Sequence, residues 1–365
     1  MVTDMKRLAF AIFPAICVLT GPRAPAAASN PGPRSAGPRP AEARKIIIDT
    51  DPGTDDALAI LLALNSPELK VEGITVVPGN VTAEQGLKNA LRLVSLAGRC
   101  DIPVAEGAQH PLAQKLITAE FWHGTNGIAN IELPVSKCQA DPRFGPDVII
   151  ELVHKYPRQI TLVPVGPLTN IALALSKDPS IAGLVKEVVM MGGSISGGNV
   201  NASAEANVYG DPEAASIVFN AGWPLTMVGL DVGDRTLFTR AHLEKLRQTR
   251  GPESDFAAGV LDFIIALSEK YGWSGTPMYD PLAVGVTIDR TLVTTEPMRV
   301  DVETRGELTR GETVANRHNT VERNVPHGDR LWIEGLDTVE PNARVSVAVQ
   351  AERFLELFIS RIAGK

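Results

Sequence analysis

The stretch that decides the fold is residues 45–62, which read K-I-I-I-D-T-D-P-G-T-D-D-A-L-A-I-L-L. The apolar run at residues 46–48 predicts a buried strand, and Pro52-Gly53 predicts a sharp turn. Residues 57–64 are again mostly apolar, and they predict a buried helix that begins just after Asp55 and Asp56. The stretch therefore predicts a strand that passes through a tight turn into a helix.

Four carboxylates crowd this turn, at Asp49, Asp51, Asp55 and Asp56. If they stayed ionised without partners at a half-buried turn, repulsion and burial would cost on the order of several kcal/mol. A helix N-terminus offsets on the order of 1 kcal/mol for one carboxylate, which is too little for four. Because the cluster contains no Cys or His, it predicts a hard divalent cation, Ca²⁺ or Mg²⁺ rather than zinc. The alternative is helix capping combined with solvated loop charge.

Two better-known acidic motifs compete with this interpretation. An EF-hand loop needs Gly at its sixth position and Glu at its twelfth. Counting from Asp49, those positions hold Thr54 and Ile60, so the EF-hand is excluded. A phosphatase of the haloacid dehalogenase type also begins with an apolar strand and Asp-x-Asp, and it would use Asp49 as its nucleophile. Such enzymes usually carry a small apolar residue and Thr where this chain has Pro52-Gly53, but this alternative stays open.

Length and composition limit the class of protein. With 365 residues, of which 44% are hydrophobic, the chain can form one large α/β domain or two smaller ones and has ample material for a core. The net charge of −7 and the absence of any Lys/Arg-rich run argue against a nucleic-acid-binding surface. We therefore expect a small-molecule substrate and no nucleic-acid partner.

The N-terminus has the pattern of a secretory signal peptide. Lys6 and Arg7 precede an apolar run at residues 8–19 that is too short to span a bilayer, and Ala26-Ala27-Ala28 offers a cleavage site. We therefore predict a signal peptide at residues 1–28, a disordered Pro-, Ala- and Arg-rich linker at 29–43, and a domain at 44–365. This organisation implies a secreted or periplasmic protein without stable membrane insertion after cleavage. The alternative is a processed or disordered leader without export.

Two cysteines, Cys100 and Cys138, remain after the predicted cleavage. In an oxidising compartment they can form one disulfide, but two buried or free thiols are equally compatible with the sequence. The sequence leaves both possibilities open.

Predicted strands and helices alternate after the acidic turn. The next apolar strands are predicted at residues 71–77, 160–165, 187–191 and 225–230. This alternation predicts an α/β fold with an open, mostly parallel sheet flanked by helices in a single domain. Strands near residues 298–303 and 345–350, with a last helix at 351–362, predict a small peripheral β segment.

Polar residues follow the carboxyl ends of several predicted strands. They are Asp51, Asn80, the region of Val165, the long polar loop 194–210 and Asp231. Ligands bind at that edge of open α/β sheets, and loops as long as 194–210 are often functional. We therefore expect these residues to converge on one crevice.

A set of ordered motifs resembles the inosine-uridine-type nucleoside hydrolases. The most specific is D-T-D-P-G-T-D-D-A at residues 49–57. The others are V-P-G-N (77–80), H-G-T-N-G (123–127), V-P-V-G-P-L-T-N (163–170), M-M-G-G (190–193), Asn199 with E-A-N (205–207), D-P-E-A-A (211–215) and D-P (280–281). The resemblance covers nearly the whole chain from Lys45 onwards.

The resemblance implies Ca²⁺-dependent hydrolysis of the N-glycosidic bond of a ribonucleoside to ribose and free base, by a homo-oligomer, either a dimer or a tetramer. The implied metal ligands are Asp51, Asp56, Asp280 and the backbone carbonyl of Val165. Asp51 would also accept the proton of the attacking water. The implied ribose-binding residues are Asp55 and Asn80, with Asn199, Glu205 and Asn207 on the 5′ side. Asp49 is interpreted as a support for the acidic turn.

One departure from the family pattern concerns the leaving group. In many relatives a His precedes the metal-binding Asp and helps to protonate the departing base, whereas this chain has Tyr279. A phenol with a pKa near 10 transfers a proton less readily near neutrality. Pyrimidines are poor leaving groups without an acid, so purine nucleosides are slightly favoured, with aromatic stacking as an aid. The candidate stacking residues are Trp122, Tyr271, Trp273 and Tyr279.

His123 is a second candidate for the leaving-group acid, although it can equally serve only to shape the His-Gly loop. The catalytic candidates are therefore Asp51, Tyr279 and His123. An alternative function is a calcium-dependent nucleoside- or sugar-binding protein that has lost turnover through Tyr279.

Overall fold

The computed structural model describes residues 42–316 and 340–364. The predicted signal peptide and all but the last two residues of the predicted linker lie outside these residues. The strands are β1 (Arg44–Thr50), β2 (Leu69–Val76), β3 (Val104–Glu106), β4 (Thr161–Pro164), β5 (Glu187–Met191), β6 (Leu225–Val228), β7 (Leu237–Phe238), β8 (Thr276–Pro277), β9 (Val293–Val302), β10 (Thr313–Asn316) and β11 (Ala343–Val349). The helices are α1 (Thr54–Leu64), α2 (Ala83–Leu96), α3 (Glu120–His123), α4 (Gly145–Lys155), α5 (Thr169–Lys177), α6 (Ile181–Leu184), α7 (Ala206–Gly210), α8 (Pro212–Phe219), α9 (Leu230–Gly233), α10 (Arg240–Arg247), α11 (Pro252–Lys270), α12 (Tyr279–Ile288) and α13 (Ala351–Ile362).

One sheet organises the fold, with the strand order β10-β9-β11-β6-β5-β4-β1-β2-β3. The strands from β11 to β3 in this order run parallel, whereas β9 and β10 are antiparallel to their neighbours. This confirms the predicted α/β class with an open, mostly parallel sheet flanked by helices. A small antiparallel pair, β7 with β8, lies apart from it.

The C-terminal strands lie at the periphery of the fold, as predicted, where β9, β10 and β11 extend the main sheet at its edge. Strand β11 pairs in parallel with β6, and its Val345, like Val300 of β9, is fully buried in the same hydrophobic core. This core therefore extends under β9 and β11.

Strand β1 lies between β4 and β2 and is covered on both faces. Ile46 and Ile48 pack in one hydrophobic cluster with α1, and Ile47 packs in the other with α4 and α5. Because side chains alternate along a strand, an uninterrupted apolar run is what a doubly covered strand requires. The central strand therefore holds the acidic turn at a rigid position.

Helix α1 begins at Thr54, three residues earlier than predicted. The Asp56 carboxylate accepts a hydrogen bond from the Gly53 amide at 2.9 Å, so an acid of the turn caps the helix. Asp55 and Asp56 consequently lie in the first helical turn. The predicted loop 194–210 also contains a short helix, α7, and a second short helix, α3, precedes Gly124. None of the helices in residues 42–316 and 340–364 combines the length and apolar character needed to cross a bilayer.

Cys100 and Cys138 form a disulfide, which joins the end of α2 to the segment after α3. Replacing Cys138 by serine is expected to lower the free energy of unfolding by about 3–4 kcal/mol, because a closed loop of this length restricts the unfolded chain. Denaturant unfolding of the oxidised protein measures this value. The reduced wild type is the control and should match the variant, whereas a loss below about 1 kcal/mol would show that the bridge contributes little.

Candidate active site

The carboxyl ends of the parallel strands bring distant polar residues together. The Asn80 amide, after β2, donates to Asp51 Oδ2, after β1, at 2.7 Å. The Asn207 side chain, on α7, donates to the Val165 carbonyl, after β4, at 2.9 Å. The Asp231 carboxylate accepts from the Ile195 amide and the Ser196 hydroxyl, so it contacts the start of the loop 194–210. The crevice is therefore formed by the ends of β1, β2, β4 and β5.

Three buried or half-buried carboxylates, Asp55, Asp56 and Asp280, each place an oxygen within 4.8 Å of the other two. The resemblance implies Asp51, Asp56 and Asp280 as metal ligands and Asp55 as a ribose contact. In the structure, Asp55 belongs with Asp56 and Asp280 to the group of carboxylates whose oxygens lie within 4.8 Å of one another. Helix α1 places Asp55 and Asp56 side by side in its first turn, while Asp280 arrives in the first turn of α12.

Asp56 is the best-supported acid of the cluster. Its Oδ1 accepts from the Thr50 hydroxyl at 2.6 Å, and its Oδ2 accepts from the Asn80 side chain at 2.8 Å. Two backbone amides of the turn, those of Asp51 and Gly53, complete its partners. These donors fix the orientation of the Asp56 carboxylate.

The negative charges of the remaining acids have few hydrogen-bond donors to stabilise them. Burial raises the pKa of Asp51 well above its ordinary value, and the charges of Asp56 and Asp55 raise it further. Burial and the charges of Asp55, Asp56 and Asp51 raise the pKa of Asp280 in the same way. The pKa of Asp55 rises to about 7, first through burial and then through Asp56.

Two buried oxygens, Asp51 Oδ1 and Asp55 Oδ1, have no hydrogen-bond partner within the described part of the chain. A buried carboxylate oxygen without a donor is costly unless a cation or a proton satisfies it. An all-oxygen donor set of this charge fits a hard divalent cation such as Ca²⁺. The residues present therefore fit a metal centre.

Two glycines leave the space that the Asp51 carboxylate occupies. A Cβ at Gly79 would lie 2.1 Å from Asp51 Oδ2, and a Cβ at Gly166 would lie 2.5 Å from Asp51 Oδ1. Any side chain at either position would displace the carboxylate. This explains, in physical terms, why Gly follows Pro78 and Val165 in the predicted motifs.

Asp49 is buried and points away from the cluster. One of its oxygens accepts from the Thr75 hydroxyl at 2.6 Å and from the Asn170 side chain at 2.8 Å. Burial raises its pKa to about 7. These contacts agree with the interpretation of Asp49 as a support and leave it poorly placed to act as the nucleophile of a phosphatase. The roles of Thr75 and Asn170 were missed, although Asn170 ends the V-P-V-G-P-L-T-N motif.

Glu205, Asn207 and Asn199 were expected on the 5′ side of the ribose. The Glu205 carboxylate accepts from the amides of Asn207, Val208 and Gly193 at 2.8–3.1 Å and so caps α7. Burial raises its pKa. Asn199 is exposed, and its side chain accepts from the Ala206 amide at 3.0 Å. In the structure these residues hold the loop against β5 and the Val165 carbonyl.

His123 is buried against the start of α1. Its Nδ1 accepts from the Thr54 amide at 3.1 Å, lies 2.8 Å from the Thr54 hydroxyl, and lies 3.9 Å from Asp55 Oδ1. Since Nδ1 accepts a backbone proton, the ring proton of the neutral form is on Nε2. Burial lowers the pKa of His123 to about 4. The imidazole is therefore neutral near pH 7, and it holds the His-Gly loop against the start of α1.

Tyr279 donates its hydroxyl to Asp234 Oδ1 at 2.7 Å, a partner that sequence analysis did not identify. Burial raises the pKa of the phenol, and the charges of Asp234, Asp55 and Glu205 add to the effect. Of the other stacking candidates, Trp122 and Tyr271 face each other with ring centroids 5.6 Å apart, and Trp273 is exposed. The phenol is therefore a weak proton donor in this setting.

Comparisons with known proteins agree with this geometry. The sequence model of the inosine-uridine preferring nucleoside hydrolases matches residues 46–356. The chain is 38% identical over 323 residues to the pyrimidine-specific ribonucleoside hydrolase RihA of Photobacterium profundum, covering 88% of this chain and 99% of that protein. Its identity to RihA of Salmonella arizonae is 39% over 325 residues, covering 87% and 97%.

Two solved structures resemble the fold closely. The purine-preferring ribonucleoside hydrolase from Gardnerella vaginalis has a TM-score of 0.79 and 39% identity, with 88% of this chain and 98% of that chain covered. The plant nucleoside hydrolase PpNRh1 has a TM-score of 0.80 and 36% identity, with 88% and 99% covered.

Proposed function

Because the chain belongs to the inosine-uridine preferring nucleoside hydrolase family and is an N-ribosyl hydrolase, we propose that it cleaves ribonucleosides with Ca²⁺ as cofactor and with a slight preference for purine bases. The observation that carries the proposal is the group of buried acids at the ligand-binding edge of the sheet, with two oxygens lacking donors within the described residues. A carboxylate-rich pocket of this kind suits a sugar diol held beside a hard cation.

The residues proposed to hold the ion are Asp51, Asp56, Asp280 and the Val165 carbonyl, with Asp55 close enough to contribute. When bound, Ca²⁺ would orient the ribose hydroxyls and make a water more acidic. The protein's own side chains supply the other groups that the reaction needs. The Asn80 amide donates to Asp51 Oδ2, whereas Asp51 Oδ1 has no donor within the described residues. Oδ1 is therefore available to accept a proton from the attacking water.

The transition state of glycosidic cleavage develops positive charge on the sugar. The acidic cluster provides negative charge beside that sugar, so it stabilises the transition state more than the neutral ground state. Asn80, Asn199, Glu205 and Asn207 are proposed to orient the ribose through its hydroxyls. Their backbone contacts hold them in place before substrate arrives.

The purine preference rests on the leaving group. The Tyr279 hydroxyl donates a hydrogen bond to Asp234, and His123 is neutral with Nδ1 occupied, so neither is a strong acid near pH 7. Pyrimidines depend more on such an acid than purines do. The relatives differ on this point, since two are named as pyrimidine-specific and one as purine-preferring.

Ribose release from inosine, adenosine, uridine and cytidine in the presence of Ca²⁺ tests the proposal. We expect cleavage, with kcat/KM for the purine nucleosides a few times higher. Higher values for uridine and cytidine would overturn the base preference while leaving the hydrolase intact. Tight binding of ribonucleosides without product would instead support a binding protein.

We further propose that the protein is secreted or periplasmic and forms a dimer or tetramer. The disulfide supports export, because such bonds persist in oxidising compartments. N-terminal sequencing of the mature protein tests the predicted cleavage after Ala28, and light scattering tests the assembly.

Replacing Gly79 by alanine is expected to lower kcat/KM by about a hundredfold, because the new Cβ would displace Asp51 by on the order of an ångström. Gly183→Ala is the matched control, since a Cβ there meets no atom within 4 Å. The control should keep wild-type activity. If Gly79→Ala did so as well, Asp51 would not need its present position.

A further inference from the structure

Tyr279 is held from two directions by the segment that follows β6. Its hydroxyl donates to Asp234 Oδ1 at 2.7 Å. Its ring lies against Gly233, where a Cβ would come within 2.4 Å of Tyr279 Cδ1 and 2.9 Å of Cε1. The ring therefore fits only because position 233 has no side chain, and the hydroxyl is fixed only because Asp234 accepts its proton.

The ring borders the acidic cluster. Tyr279 begins α12 directly before Asp280, whose carboxylate belongs to that cluster. Asp55 and Glu205 lie close enough for their charges to act on the phenol. Gly233 ends α9 at the carboxyl end of β6, so the contact joins the two elements next to the crevice.

Resting on the proposed function, we propose that Asp234 is a positioning residue for base recognition, which fixes the Tyr279 ring as a wall of the base side of the pocket. The single phenol proton is donated to Asp234, so Tyr279 offers the base its ring face and an oxygen lone pair. Asp234 contacts the phenol and is not among the residues proposed to hold the ribose, so its removal should act on the base more than on the ribose. Gly233, Asp234 and Tyr279 therefore function as one unit.

A double-mutant cycle with Asp234→Ala, Tyr279→Phe and both together tests the proposal. KM for inosine and uridine is measured beside the inhibition constant of free ribose, which lacks a base. Each single substitution is expected to raise KM about three- to tenfold, the range of one lost hydrogen bond. The double variant should be no worse than either single one, because both remove the same interaction. The ribose constant should stay within about twofold.

Two further variants separate positioning from simple structural damage. Asp234→Asn keeps an acceptor oxygen for the phenol and should restore most of the wild-type KM. Gly233→Ala keeps the hydroxyl but displaces the ring, so KM should rise as in Asp234→Ala, with Gly183→Ala as the control in open space. The melting temperature of each variant reports whether it folds.

Additive effects in the cycle, or a ribose constant that rises together with KM, would overturn the proposal. A wild type that releases no ribose from any nucleoside would overturn the proposed function instead. In that case calorimetric binding of inosine and of ribose to the same variants takes the place of KM, and the same pattern of effects decides the role of Asp234.

Discussion

Replacing Asp51 by asparagine is expected to reduce kcat/KM for every ribonucleoside by about three orders of magnitude. The amide has nearly the same shape, and its oxygen can still accept from the Asn80 amide. It cannot accept the proton of a water, and it offers no charge to a cation. The loss should appear in kcat as well as in kcat/KM, because the missing interactions belong to the transition state.

The same variant also tests how the Asp51 charge affects the stability of the metal-free protein. Burial and neighbouring acids raise the pKa of Asp51, so its charge is unfavourable there without a cation. We therefore expect the metal-free variant to melt at the same temperature as the wild type or higher. Asp101→Asn is the matched control, since it removes an equal charge from an exposed ion pair with Arg99. An Asp51→Asn variant with more than about a tenth of wild-type activity would refute the proposed role.

Removing divalent cations is expected to abolish ribose release, to below about a thousandth of the Ca²⁺-loaded rate. Addition of Ca²⁺ should restore it. The loaded protein should also melt at a higher temperature, because an ion that binds only the folded state stabilises it. Zinc should restore activity poorly, since the cluster offers only oxygen ligands. Full activity after exhaustive chelation would rule out a metal requirement.

The stability of the metal-free protein is expected to depend on pH in a defined direction. The pKa values of Asp49 and Asp55 are about 7 in the folded protein, against an ordinary value of 3.8. A carboxyl that binds its proton more tightly when folded contributes stability that is fully present below about pH 4 and is lost as the pH rises through 7. Thermal melts in chelator should therefore give a higher melting temperature at pH 5 than at pH 8, and Ca²⁺ should reduce the difference.

Much of the fold was predictable because its signals are local. The uninterrupted apolar run at residues 46–48 predicts a strand covered on both faces, and Thr82 is a typical N-cap residue whose hydroxyl accepts from the Gln85 amide at the start of α2. How the C-terminal strands join the main sheet was not predictable, for the opposite reason. Whether a short strand joins an existing sheet or forms its own depends on which edge is open, and the edge of β6 is known only once the sheet is assembled.

The sequence by itself determined the strand, the turn, the crowding of acids within it and the family. These depend on residues that are neighbours along the chain. Only the tertiary structure decided that Asp55 joins Asp56 and Asp280, that His123 contacts Thr54, and that the Tyr279 hydroxyl donates a hydrogen bond to Asp234. Such contacts join residues on separate elements, and their geometry follows from how the helices pack on the sheet. No pattern within a short stretch of sequence indicates this geometry.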